Sequence, residues 1–182
     1  FALGLPVILT AFQILYINLI GDGLPALSFA FMPKNTGVMS HKPKKQHVFL
    51  TKSDYLYVLV YGLFGSMLAI ASYIVGLHIL DFSTGQTMAF TTLIFLQIFV
   101  LLDLWLSKEP ILPNIKKLAN KSFLITILFP LTIHPFLLYN PQLQALFHTK
   151  ELGLISLGTA LLYACAIIIP LEGRKFTFLF RR

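Results

Sequence analysis

The sequence predicts an all-α fold: a polytopic membrane bundle of five transmembrane helices, the first of them interrupted. Three observations lead there. Of the 182 residues, 57% are apolar and only 12% charged, against about 45–50% and about 25% in soluble domains; the mean hydropathy is +0.80. Five apolar runs approach the length of about 20 residues that a helix needs to cross a hydrocarbon core of about 30 Å. Lys and Arg fall almost entirely in alternate connections between those runs. A water-soluble globular domain and a disordered chain are both excluded.

The first run, residues 7–31, is broken by Gly21, Gly23 and Pro25 and contains Asp22. The second, 55–77, and the fifth, 152–171, are free of Asp, Glu, Lys and Arg; the third, 87–106, carries only Asp103, and the fourth, 122–139, only the titratable His134. In the second run Gly62 and Ser66, and again Ser72 and Gly76, stand four apart, a spacing that lets helix backbones approach closely in lipid. Pro130 and Pro135 remove two backbone donors from the fourth and predict a kinked helix supported by its neighbours. The single cysteine, Cys165, lies in an apolar run and reads as a small core hydrophobe.

The segments 32–54, 78–86, 107–121, 140–151 and 172–182 hold five, none, four, one and four of the Lys and Arg residues. Thirteen of the fourteen therefore fall on one side, and the positive-inside rule makes that side cytoplasmic. The formal charge of +7 belongs to a membrane surface rather than to a nucleic-acid interface. The N-terminus is expected outside or in the lumen, the C-terminus in the cytoplasm. Residues 1–9 lack the basic region and cleavage site of a secretory signal, so the chain reads as part of something longer.

Chemistry concentrates in the first run. An ionisable residue inside a membrane costs about 2.5–3.5 kcal/mol on insertion scales, so Asp22, among Leu19, Ile20, Leu24 and Leu27, must face protein, water or an ion. Asn18, four residues earlier, would share its helical face and add an amide oxygen. Gly21, Gly23 and Pro25 predict an unwound stretch whose freed carbonyls act as hard oxygen ligands of the kind a divalent cation prefers. The plainer alternative is a polar pair, Asn18 and Asp22, that hydrogen-bonds between helices.

The stretch Leu3-Gly4-Leu5-Pro6, followed by Gln13-Ile14-Leu15-Tyr16-Ile17-Asn18-Leu19-Ile20-Gly21-Asp22-Gly23-Leu24-Pro25-Ala26, resembles the end of the fifth and the whole sixth transmembrane helix of P-type cation pumps of the calcium-ATPase branch. The likeness continues at Thr87-Met88-Ala89 in the eighth helix, at Tyr139 and Pro141 after the ninth, and at Pro170, Glu172 and Lys175 after the tenth. The five spans would then be helices six to ten, a C-terminal transmembrane region. The resemblance implies ATP-driven export of Ca²⁺ or Mn²⁺ through an aspartyl phosphate. It also implies partners: the lipid bilayer, and the remaining helices and cytoplasmic domains of the same pump.

By the same resemblance Asn18 and Asp22 are metal ligands, with further ligands supplied by the fourth and fifth helices. The chain has no Asp-Lys-Thr-Gly motif and no Gly-rich phosphate loop, so ATP and Mg²⁺ would be handled by other parts of such a protein. Gly21 stands where two-calcium pumps have a Thr, and Gln97 where they have a Glu. Gln97 is thus either a further, weaker metal ligand or an interhelical hydrogen-bonder, and one transported ion is favoured over two. Asn18, where the sodium/potassium branch has Asp, makes that substrate less suitable.

Other polar residues read more simply. Asp103, about a turn from the cytoplasmic end of its span, is expected to reach headgroups or Lys108. His134 lacks companions at ligand spacing and is expected to bond a backbone group. The run Lys42-Pro43-Lys44-Lys45 meets anionic lipid or, by resemblance, a phosphorylation domain. The aromatic and basic tail from Arg174 to Arg182 reads as an interface anchor. A stand-alone secondary transporter or channel-like protein is the alternative function, although only one interrupted span carries an acid and five spans do not divide into two repeats. A mere anchor would have no reason to bear Asp22.

The topology is testable with single cysteines at Ser40, Ser83 and Gln142 in a Cys165→Ala background. An impermeant thiol reagent applied to the extracytoplasmic face is expected to label positions 83 and 142 and to spare 40; the opposite pattern overturns the orientation.

Overall fold

The computed structural model describes residues 8–31, 52–106 and 120–179. Leu3-Gly4-Leu5-Pro6, the basic run at Lys42-Pro43-Lys44-Lys45, Lys108 and the terminal Phe180, Arg181 and Arg182 lie outside the described residues. All regular structure described is helical. Four helical spans are long and apolar enough to cross a membrane: Asp54–Ile79, Phe82–Leu106, Lys121–Tyr139 and Leu154–Gly173. The first predicted span is helical too, but in three pieces.

Those pieces are α1 (Ala11–Tyr16), a π-helical segment (Ile17–Gly23) and α2 (Leu24–Ala30). Helix α1 starts at a capping box, with Thr10 Oγ1 accepting from Gln13 N and Gln13 Oε1 from Thr10 N. The interruption follows from Pro25. In a continuous α-helix its missing N–H would leave the Gly21 carbonyl unpaired, and its ring would collide with that carbonyl. The π segment takes up the mismatch, so that Pro25 falls at the start of α2, where an absent donor costs nothing. The open, unwound stretch expected at Gly21, Gly23 and Pro25 is therefore corrected to a wound one: the dihedrals at Gly23 and Leu24 stay right-handed helical. Open backbone would strand polar groups in hydrocarbon.

The remaining elements are α3 (Lys52–Ile79), α4 (Phe82–Leu106), α5 (Lys121–Tyr139), α6 (Pro141–Phe147), α7 (Leu154–Cys165) and α8 (Ile168–Leu179). Helices α3 and α4 begin earlier than residues 55 and 87, and the last span is divided at Ala166 and Ile167, ahead of Pro170, whose ring cannot continue α7. The helix then runs on to Leu179, beyond the expected start of a tail at 172.

Helix α4 is the centre. Buried residues make up 61% of its most apolar window, against 17–33% in the other three spans, and each of four apolar clusters contains its side chains. Its contact with α3 is closest near their shared turn. A Cβ on Gly76 would lie 2.7 Å from Gly85 Cα, and one on Gly85 would lie 2.8 Å from the Tyr73 carbonyl oxygen. One helical turn inward, Thr92 Oγ1 donates to the Met88 carbonyl at 2.8 Å and pairs with Ser72 Oγ at 2.8 Å, close to the Ala160 carbonyl of α7. The small pair Ser72/Gly76 is thus a packing seam, as the spacing suggests. Gly62/Ser66 is not: a Cβ on Gly62 would meet nothing within 4 Å, and Ser66 bonds back to its own helix.

The start of α1, the α3–α4 turn and the α5–α7 connection share one end of the bundle. Gln13 Nε2 donates to the Phe147 carbonyl at 3.0 Å, Lys150 N to Thr87 Oγ1 at 2.9 Å, and Lys150 Nζ pairs with Asp81. Asn140 caps α6 by accepting from Gln142 N and Leu143 N, ahead of Pro141. The Asp81 carboxyl is held below its ordinary value, first by the hydrogen bond from Lys150 and then by that from Thr84 N. This exposed tie is complete at neutral pH and is lost as the pH falls through that lowered value. At the opposite end Trp105 stacks on Phe123 and leans on Phe29.

Gly76→Ala is expected to destabilise the bundle by about 1–3 kcal/mol through overpacking against Gly85. The same change at Gly62 should be neutral or stabilising by up to about 1 kcal/mol. Reversible unfolding in detergent micelles measures both; equal losses at the two positions would contradict the seam.

Candidate functional site

The break in the first span opens beside a cleft of about 470 Å³ between the π segment with α2, helix α3 and helix α4. Asp22 lines it together with Gly21, Pro25, Gly62, Ser66 and Gln97. Most of the wall is aliphatic or aromatic, including Leu93, Leu96, Leu104 and Phe29. Ser66 presents no free hydroxyl proton, since it donates to the Gly62 carbonyl at 2.7 Å.

Asp22 is exposed, and its Oδ1 accepts from Gln97 Nε2 at 3.1 Å. Asn18 is exposed as well and does not line the cleft. The structure therefore brings Gln97 to the carboxylate, and not Asn18. Spacing along one helix pairs residues of that helix and gives no sign of a partner such as Gln97, which comes from α4.

Gln97 reaches Asp22 by passing over Gly21. A Cβ at position 21 would stand 1.8 Å from Gln97 Oε1 and 2.5 Å from its Cδ. Two positions that read separately as departures from a two-ion pattern are thus one contact. The open face of Gly62 and Ser66, expected in a helix interface, forms the α3 wall; the small-residue spacing was the available signal.

Asp103 is buried, and its Oδ2 accepts from Tyr57 of α3 at 3.1 Å, while Lys108 lies outside the described residues. His134 is buried beside the rings of Tyr16, Phe90 and Phe95, and its Nε2 meets Thr91 Oγ1 at 3.1 Å, a hydroxyl in place of the expected backbone group. Cys165, expected as a core hydrophobe, is exposed on α7. Among the described residues no three His, Cys, Asp or Glu side chains come together to hold a metal. What the cleft offers chemically is one carboxylate and one amide in an apolar wall: part of a coordination sphere, on elements the bundle holds in place.

The sequence of the described family "cation transporting ATPase, C-terminus" matches residues 6–177 of this chain. A calcium-transporting ATPase of Bacillus subtilis is 30% identical over 151 residues, covering 81% of this chain and 17% of that protein. The calcium-transporting ATPase type 2C member 2 of Rattus norvegicus is 30% identical over 157 residues, 85% of this chain and 16% of its own length. Calcium-transporting ATPase 1 of Saccharomyces cerevisiae is 28% identical over 185 residues, 96% of this chain and 18% of its own. The chain thus spans less than a fifth of the length of these relatives.

Proposed function

The chain belongs to the P-type cation-transporting ATPases, as a multi-pass membrane region at their C-terminal end, and we propose that it supplies cation ligands to an ATP-driven pump that exports Ca²⁺ or Mn²⁺. The observation that carries this reading is Asp22: a carboxylate on a π-wound membrane span, facing a cleft walled by α3 and α4. A charge in that position is tolerated only if something meets it. A transported cation in one conformation, and protons or other counter-groups in the next, would do so.

In this reading Asp22 gives the full negative charge and Asn18 an amide oxygen, and other helices of the pump complete the six or more oxygens that a divalent ion of this type takes, about 2.3–2.6 Å away for Ca²⁺. One ion moves per cycle. ATP and Mg²⁺ act in cytoplasmic domains of the same pump, and the aspartyl phosphate formed there moves the helices. The basic segments lie in the cytoplasm, and the end carrying Asp81 and Lys150 lies outside or in the lumen.

Asp22→Asn in the full-length protein keeps the size and removes the charge. It is expected to reduce Ca²⁺- or Mn²⁺-stimulated phosphoenzyme formation from ATP to background; a titration like that of the parent would return Asp22 to a structural role. The isolated chain, holding only a part of the ligand set, is expected to show no ATPase activity and no micromolar Ca²⁺ binding by calorimetry. Micromolar binding would favour a self-contained transporter.

A further inference from the structure

We propose that Gln97 is a positioning residue that latches Asp22 when no cation is bound, and that position 21 is glycine so that the latch can close. The proposal rests on the reading of Asp22 as a cation ligand and adds what holds that ligand in the empty site.

A carboxylate offers only acceptors, so it is the amide nitrogen of Gln97 that faces Asp22, at 3.1 Å from Oδ1. This is the opposite of what a cation needs, which is the amide oxygen. In this arrangement Gln97 stands in for the ion: it presents partial positive charge to the carboxylate from the α4 side of the cleft. A cation that takes Asp22 must first break this bond.

Gly21 is explained by the latch and by little else. Its backbone does not have a positive φ, so the winding itself does not call for glycine, and glycine weakens a helix relative to alanine. Yet a single methyl group there would stand 1.8 Å from Gln97 Oε1, 2.5 Å from Cδ and 2.8 Å from Nε2, and real Cβ atoms do not come within 3.0 Å of such neighbours. Any side chain at 21 expels the amide. The two residues come from different spans, and each is intelligible only with the other.

The latch is also built to open. Gln97 Oε1 is buried and has no hydrogen-bond partner among the described residues, a state that disfavours the closed position. The bond to Asp22 and the stranded oxygen oppose one another, so the amide holds the carboxylate without locking it.

The test measures the Ca²⁺ concentration for half-maximal phosphoenzyme formation by the full-length pump in membranes, for the parent, Gly21→Ala, Gln97→Ala, the double variant and Asp22→Asn. Either single change removes the competitor, so each is expected to lower the midpoint by about three- to tenfold, the range of one hydrogen bond to a charged group in a partly solvated site. The double variant should show no further shift, because Gly21→Ala acts only through Gln97. Midpoints that stay put or rise in Gln97→Ala, or shifts that add in the double variant, overturn the latch. Should Gly21→Ala fail to fold, its rescue by Gln97→Ala supports the contact, and Gln97→Ala alone still reads the midpoint. If Asp22→Asn abolishes phosphorylation while the other variants titrate like the parent, the cation site stands and the latch falls. If Asp22→Asn itself titrates like the parent, both fall.

Discussion

Inside a bilayer a peptide group can hydrogen-bond only to protein, and Pro25 removes one donor in the middle of a membrane span. The chain answers by widening: seven residues, Ile17–Gly23, take the π form, and Pro25 is delivered to the start of the next α segment. From that adjustment follow the features that matter at the site. It sets Gly21 against Gln97 and the Asp22 carboxylate at the mouth of a cleft.

A strained or widened segment needs a fixed reference, and α4 supplies it. The helix is buried on most sides: Phe90 and Ile94 receive Tyr16, Ile17 and Ile20 of the first span, while Leu96 packs with Tyr61, Ala164 and Ile167 on the other side. Small and hydroxylated residues make its seam with α3, where Gly76 meets Gly85 and Thr92 ties Ser72 to the α7 backbone. In lipid such close approach replaces the hydrophobic drive that water would provide. Both ends of the first span are clamped, by Gln13 on the Phe147 carbonyl and by Phe29 against Trp105. Movement in the span is therefore directed to its middle, where the carboxylate sits.

Much of this was legible in the sequence, because apolar length and charge position are properties of single residues summed along the chain. The membrane bundle, the interrupted first helix and Asp22 as its costly residue all follow from such sums. What was not legible depended on contacts between spans. The pairing of Gly21 with Gln97 joins positions 76 residues apart and carries no local signal. Likewise Ser72/Gly76 and Gly62/Ser66 have the same spacing, yet only the first pair finds a helix among the described residues. The hydroxyl partners of Asp103 and His134, Tyr57 and Thr91, come from other helices and cannot be named from spacing.

The central claim is that a transported cation replaces Gln97 at Asp22. A map of the full-length protein with Ca²⁺ bound, at a resolution that separates side-chain atoms, tests it most directly. An ion is expected about 2.3–2.6 Å from an Asp22 oxygen, with the Gln97 amide nitrogen withdrawn from hydrogen-bonding distance. An ion held elsewhere, with Gln97 Nε2 still donating to Asp22, would contradict it.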